Sequence, residues 1–553
     1  MSTILSRRSL LQATALLAML PLGGGLALAV PPRGFTHSVA SGDPQQRSII
    51  LWTRYVPTDG GNVTLRVELA EDERFTRIIS RGSATCGPAT DFCARARPDA
   101  LAPGRWYYYR FVAPGGELSP VGRTRTLPQG SLDRFRIAVV SCANATSGWF
   151  NAYAHAAARD DIDLVVHTGD YIYESPTDRS DAIAALAVLR GIAPLGETVS
   201  LTDYRLRYAT YRNDPGLMEL HRRFPMVVMW DDHEVANNSW MGGARNHGTD
   251  EGPWDTRKAA GIRAFREWLP VSDADYERYQ IGDLATLFRL ETRLVGRSRQ
   301  LEITAALAGS GGLQQTAAAF RDGPLADPTR TMMGRVQERW LADALAASTA
   351  AGTRWQVIAQ QVIMAPSRLP PVTAAWYAAG VTPSAREQAE LGIAAALGKL
   401  GVPTALDRWE GYPAARARLF ESVRRAAADL IVLSGDSHNA WASDLMEGGM
   451  PVGVEFAGHS VSSLGLEKRF GGDPSLIARD YVAANPGLRW CDTSRRGYMM
   501  LDLGRTTATN EWLFLPSRDE RSTKLLGSHR MTVARGSRRL GSLDREIGSK
   551  APS

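Results

Sequence analysis

Three short segments constrain this chain more than anything else in it. Each places acids directly after an apolar run. Leu164-Val165-Val166 leads to Thr168-Gly169-Asp170-Tyr171-Ile172-Tyr173-Glu174. Met226-Val227-Val228-Met229 leads to Trp230-Asp231-Asp232-His233-Glu234, and Leu430-Ile431-Val432-Leu433 leads to Ser434-Gly435-Asp436-Ser437-His438. Short apolar runs bounded by polar loops read as buried strands. Reactive loops of open α/β sheets lie beyond the carboxyl ends of the strands. The three segments are therefore expected to meet at one edge of a sheet. Hard oxygen donors with imidazole suit a hydrolytic metal centre. Any one segment reads equally well as an ordinary polar loop, but convergent groups mark a site.

A chain of 553 residues is too long for one compact core and suggests two to four domains. With 44% hydrophobic and 22% charged residues, wholesale disorder is excluded. The net charge of +6 is small for this length, and the basic residues are scattered. No helix-turn-helix, zinc-finger or RNA-binding signature accompanies them, so no nucleic-acid partner is expected. Residues 1–29 read as a targeting segment. Ser6-Arg7-Arg8-Ser9-Leu10-Leu11 precedes an apolar run ending at Leu20, and Ala27-Leu28-Ala29 offers a small-residue cleavage site. Paired arginines in this setting resemble a twin-arginine export signal, with a general secretory signal as the alternative. The twin-arginine route carries folded proteins, which suits an enzyme that takes up metal before export. No later stretch is long and apolar enough to span a bilayer. The expectation is a monomer without a transmembrane anchor, periplasmic or secreted, with the twin-arginine export machinery as its partner.

Residues 33–128 show short strands between turn signals. Val63, Leu65, Val67 and Leu69 alternate with polar residues, and Trp106 to Val112 is an aromatic-rich run. This predicts a small β-sandwich. From residue 134 to 536 strands and helices alternate, opening with Arg136 to Val140, a helix from Trp149 to Arg159 with Ser147 as N-cap, and a second strand. A mainly helical insertion is expected at 180–223. A Pro- and Ala-rich one at 368–408 has the character of a rim or lid. Residues 537–553 form a basic tail. Cys86 and Cys93 flank a turn-like stretch, and their spacing leaves open a disulfide or two free thiols.

Asp170 is placed to bridge two ions, directly after Gly169, where the absent side chain permits close approach of a metal. Tyr173, three residues on, is placed to return to the same ion, with a buried tyrosine whose hydroxyl is satisfied by hydrogen bonds as the alternative. A phenolate donor points to a ferric ion.

With these segments in hand, the chain resembles the PhoD-like alkaline phosphatases, within the calcineurin-like metallophosphoesterases that include purple acid phosphatases. The resemblance begins at Val39-Ala40-Ser41-Gly42-Asp43-Pro44 and Leu51-Trp52-Thr53-Arg54. It continues through Ser141-Cys142, the three acid-bearing segments, Asn237-Asn238 and Gly411-Tyr412-Pro413, and ends with Glu455-Phe456 and Arg496-Gly497-Tyr498. It implies an α/β fold: a double-sheet α/β/β/α metallophosphoesterase domain preceded by a small all-β, fibronectin-like sandwich. It also implies roles. Cys142, Asp170, Tyr173 and His438 would hold Fe3+, with Asp170 bridging. Asp232 and Asp436 would hold the second ion, read as Ca2+ because oxygens replace imidazoles there. His233 would contact phosphate and protonate the leaving group, with Asn238 binding substrate. Asn237 and Asn238 read equally well as turn residues, and Gln361 as a strand-end polar residue. Glu291 and His459 depart from the family pattern outside the ligand set. The implied activity is release of phosphate from phosphate monoesters, with diesters possible. The alternatives are a phosphodiesterase or phospholipase-D-like hydrolase on the same site, or a non-catalytic phosphate-binding protein.

Overall fold

The structure is a computed structural model and describes residues 33–175, 187–308, 311–516 and 520–542. The export segment expected at 1–29, residues 180–186 of the first insertion and the tail beyond 542 lie outside the described residues.

Period-two alternation decides how the layers stack. In the strand Arg134–Val140, Phe135, Ile137 and Val139 face one way and Ala138 and Val140 the other. The first set joins Leu164, Val166 and Val227 against Val357, Ile431, Leu433 and Phe456 of a second sheet. The other face lies under the helices Asn151–Ala157, Leu201–Arg212, Pro215–Arg223 and Trp254–Trp268. Beyond the second sheet, Phe288, Ile358, Leu430 and Val432 lie under Gly334–Ala350 and Pro413–Arg425. The result is the expected α/β/β/α stack.

The first sheet has ten strands and the second seven. Arg134–Val140, Leu164–His167 and Met226–Val228 run parallel at the centre of the first. In the second, Trp355–Ala359, Leu430–Ser434 and Met450–Ala457 are parallel. A four-stranded sheet, Ile78–Cys86, Val63–Ala70, Trp106–Val112 and Gly122–Arg125, packs Leu65, Val67, Leu69 and Phe111 against Val39, Leu51 and Ala94. That is the N-terminal sandwich. Its other face is not a separate sheet. Gly34–Gly42 pairs in parallel with Met226–Val228, so the N-terminal strands extend the ten-stranded sheet. The join needs Gly42, because a Cβ there would lie 2.3 Å from the Pro270 carbonyl oxygen. Asp43 latches it, its carboxylate accepting from Tyr279 Oη at 2.6 Å and the Ser272 amide at 2.6 Å.

Some local expectations change. The helix expected from Trp149 begins at Asn151 with Phe150 at its N-cap; the Ser147 amide instead closes a turn onto the Asn144 carbonyl. Residues Leu540–Ser542, within the stretch read as a tail, pair with Gly527–Ala534 as the edge strand. Cys86 and Cys93 are free thiols directed at the carbonyls of Tyr55 and Asp91.

Candidate metal centre

The three acid-bearing segments stand at the carboxyl ends of parallel strands, as expected, but of two sheets rather than one. Asp170 follows Leu164–His167 and Asp232 follows Met226–Val228 in the ten-stranded sheet; Asp436 follows Leu430–Ser434 in the seven-stranded sheet. The loops face each other where the inter-sheet core ends.

Their backbone is strained at the candidate site residues. Cys142, Asp170, Asn238, Asp436 and His438 have φ of 57°, 55°, 53°, 61° and 59°. A left-handed non-glycine residue costs about 1–2 kcal/mol, and such residues cluster at active sites. Lacing between loops holds them. The Cys142 amide donates to the Gly169 carbonyl at 3.1 Å, and the Ala143 amide to the Asp170 carbonyl at 2.9 Å. Gly169, at φ 111°, permits close approach of Asp231, since a Cβ there would lie 2.5 Å from Asp231 Cβ.

One donor set is mixed. Ligand atoms of Cys142, Asp170 and His438 lie within 4.8 Å of one another. Tyr173 Oη is 3.0 Å from Asp170 Oδ2 and 3.1 Å from His438 Nε2, and Ser463 Oγ donates to it at 2.6 Å. His438 Nδ1 donates to the Leu464 carbonyl at 2.8 Å, which turns the Nε2 lone pair toward the set. Burial pushes the Cys142 thiol well above its usual range, and the Asp170 carboxylate adds to it. Tyr173 is raised by the same two causes. Both groups keep their protons until a cation replaces them.

The other set is all oxygen. Carboxylate oxygens of Asp231, Asp232 and Asp436 lie within 4.8 Å of one another; a third group, Asp170, Asp232 and His233, is equally close, adds an imidazole and joins the other two. Burial raises the Asp231 carboxyl well above the carboxylate range against the pull of Arg293. Asp232 is lowered, because Arg293 and His233 outweigh its burial. Asp170 Oδ1, Asp231 Oδ2 and Asp232 Oδ1 are buried without a hydrogen-bond partner. Unused acceptors among clustered carboxylates fit a cation-binding role.

His233 Nδ1 lies 2.5 Å from Glu174 Oε2, and its ring stacks on Tyr173 at 4.1 Å. Burial opposes its charge, but Glu174, Asp232 and Asp170 outweigh burial and raise its pKa well above the usual value. Glu234 caps two loops, accepting from the amides of Asp231, Asp170 and Tyr171, and burial, then Asp170, pushes its carboxyl up to about 8. A cavity of about 310 Å³ opens here, lined among others by Tyr173, His233, Asn237, His438, Ser463 and Lys468.

The other candidates sit nearby. The Asn238 amide donates to Asp232 Oδ2 at 2.7 Å, and its neighbour Asn237 reaches the cavity wall. Gln361 binds Thr292 and the carbonyls of Trp230 and Leu290. His459 donates to the Leu513 carbonyl at 3.0 Å. Glu291 accepts from Trp230 Nε1 and the amides of Arg293 and Leu294. Arg293 and Ser463, and the orienting roles of Glu174 and Glu234, were not expected from the sequence. A signal existed for Arg293: Glu291-Thr292-Arg293 follows the strand Ala285–Arg289 much as the three acid-bearing segments follow theirs.

The PhoD-like phosphatase family model matches residues 137–512, and the model of that family's N-terminal domain matches residues 27–128. The chain belongs to the PhoD-like phosphatase family, and is a phosphoric ester hydrolase. It is 31% identical to alkaline phosphatase D of Bacillus subtilis (strain 168) over 503 residues, 86% of this chain and 76% of the relative. A solved structure of PhoD superposes with a TM-score of 0.72 at 28% identity, covering 95% of this chain and 94% of that one. A purple acid phosphatase from yellow lupin (Lupinus luteus) seeds gives a TM-score of 0.54 at 12% identity, over 92% of this chain and 76% of that one, and so shares the fold alone.

Proposed function

We propose that this protein is an exported alkaline phosphatase that releases inorganic phosphate from monoesters, and accepts diesters, at a centre holding Fe3+ and Ca2+. The supporting observation is a chain of three donor groups, in which Asp170 links Cys142 and His438 to Asp232 and His233, and Asp232 in turn belongs to an all-oxygen group with Asp231 and Asp436. Cys142, Asp170, Tyr173 and His438 offer thiolate, carboxylate, phenolate and imidazole, a set that suits ferric iron. Asp232 and Asp436, grouped with Asp231, offer hard oxygens, which suit calcium.

When bound, the ions supply Lewis acidity to the phosphoryl oxygens and lower the pKa of water. The rest falls to the chain. Asp170 holds the two halves of the centre in register. His233, kept charged by Glu174, lines the cavity and donates a proton to the leaving oxygen. Asn238, tied to Asp232, and Asn237 bind the phosphoryl group. Residues 1–29 direct export through the twin-arginine route. No helix among the described residues is long and apolar enough to cross a membrane.

The test is elemental analysis of the purified exported form, beside turnover of p-nitrophenyl phosphate and bis-p-nitrophenyl phosphate before and after EGTA. Iron with calcium, and activity lost to EGTA and restored by calcium, is the expected result. Zinc alone, or activity indifferent to chelation, would overturn the ligand assignment. The ratio of diester to monoester turnover decides whether the phosphodiesterase reading is the better one. Arginine-to-lysine replacement at Arg7 and Arg8 should retain the protein inside the cell.

A further inference from the structure

Arg293 enters no step above, yet it is the most heavily paired side chain of the site. It is fully buried, and four carboxylates surround it. Its Nε meets Asp231 Oδ1, and its Nη2 lies 2.9 Å from Asp436 Oδ1 and 3.7 Å from Asp232 Oδ2. Its Nη1 lies 3.7 Å from Asp407 Oδ2. These acids come from three separate parts of the fold. Asp231 and Asp232 leave the ten-stranded sheet, Asp436 leaves the seven-stranded sheet, and Asp407 closes the insertion at 368–408. Among the described residues no hydrogen bond joins Asp436 directly to Asp231 or Asp232; the guanidinium is the link. Its root is fixed as well. The Arg293 amide donates to Glu291 Oε1 at 2.7 Å, and the same oxygen accepts from Trp230 Nε1 at 3.0 Å, one residue before Asp231. The other oxygen of Asp436 faces Arg408 Nε at 3.3 Å, from the end of the same insertion.

We infer that Arg293 is the positioning residue of the all-oxygen metal site, clamping Asp232 and Asp436 from opposite sheets at the spacing a divalent cation needs. Asp407 brings the insertion into the same clamp. The inference rests on the two-site reading above. Calcium takes several oxygens at about 2.3–2.6 Å, and carboxylates that close repel one another until something gathers them. A planar guanidinium with five fixed donors reaches several of them at once, whereas an ammonium is a single point of charge. Among the described residues, no hydrogen bond or ion pair joins Arg293 to Cys142, Asp170, Tyr173 or His438. The clamp therefore acts on one ion and not on the other.

The test uses the full mature protein and the variants Arg293→Met and Arg293→Lys, each loaded with iron. Calcium affinity is measured by titration calorimetry, iron by elemental analysis and by the visible absorption of its thiolate and phenolate donors. Loss of hydrogen bonds to charged groups should weaken calcium at least about tenfold in both variants, with iron content and absorption as in wild type. Wild-type calcium affinity in Arg293→Lys would reduce the residue to a charge balance and overturn the clamp. Equal loss of iron and calcium would overturn it too, by showing a general collapse. If Arg293→Met does not fold, Arg293→Lys carries the test. A wild-type protein that takes up no calcium sinks the two-site reading itself, whereas calcium held equally by wild type and variant sinks only the clamp.

Discussion

Glu174→Gln removes one negative charge from beside His233 and leaves the side-chain volume nearly unchanged. Glu174 is fully buried and His233 nearly so, at 2.5 Å, so solvent and salt screen the pair little. Burial already opposes the imidazolium, and Glu174 is foremost among the carboxylates that overcome it. Without that charge the His233 pKa falls, and less of the acid form survives at alkaline pH. A positioned proton donor is worth about 10²–10⁴-fold, or about 2.7–5.4 kcal/mol. Asp232 and Asp170 still favour the charged ring, so the lower end, about 10²-fold, is expected. The signature lies in the leaving group. An alkyl alkoxide must be protonated as it departs, whereas p-nitrophenolate leaves without help. The kcat/KM for an alkyl phosphate should fall about 10²-fold while that for p-nitrophenyl phosphate changes little. The direction with pH follows from the raised pKa. His233 acts below its pKa, so lowering it moves the alkaline limb of the profile to lower pH. Equal losses on both esters, or an unmoved alkaline limb, would refute His233 as the acid.

Asp170→Asn should cost both ions and, on the order of 10³-fold, turnover, because several kcal/mol of transition-state stabilisation depend on the centre; elemental analysis beside kcat checks it. Cys142→Ser should lose iron and the visible band while calcium affinity stays near wild type, since Cys142 belongs to the mixed set alone. Gly169→Ala should destabilise the protein by about 1–3 kcal/mol through overpacking and about 1–2 kcal/mol more through its left-handed backbone, because the new Cβ would stand 2.5 Å from Asp231 Cβ; the urea midpoint reports it. Burial brings the pKa of both His37 and His167 from 6.5 to about 3, with Arg54 and Arg212 adding at His37. The unfolded chain therefore binds these protons first, and their contribution to stability is complete above pH 6.5 and lost as pH falls toward 3. At pH 5 each site costs on the order of 2 kcal/mol, and a melting temperature that stayed flat from pH 7 to 5 would contradict this.

The layers were legible because apolar runs and period-two alternation record which faces of a strand are buried. Leu164, Val166 and Val227 face the inter-sheet core, and Val165 and Val228 face the helices. The division of the three acid-bearing loops between two sheets was not legible. A run such as Leu430-Ile431-Val432-Leu433 states that it is buried but not against what, and strand partners can lie far off in sequence, as Arg134–Val140 beside Arg496–Gly504 shows. The missed helix start has a local cause, since the Ser147 amide is used in a turn before the helix begins.

In the site, legibility divides along a physical line. Asp170, Tyr173, Asp232, His233, Asp436 and His438 stand out because carboxylate, phenol and imidazole cluster directly after apolar runs, whereas Cys142, of a residue type commonly buried, is marked only by the family resemblance. The structure gathers them, several on backbone that an ordinary residue resists adopting. That backbone persists because other groups over-determine it. Glu234 takes the amides of Asp170, Tyr171 and Asp231, and Ser463 fixes the Tyr173 hydroxyl. Glu174 orients His233, and Arg293 spans the loops of both sheets. In the sequence each of these is a common polar residue with no periodicity to announce it, and its role exists only through partners tens to hundreds of residues away. Most of the candidate donors are therefore readable from one sequence, whereas the groups that hold them in place are readable only from the fold. On the proposed two-metal centre, the second group is where substitutions should separate one metal from the other without touching a ligand.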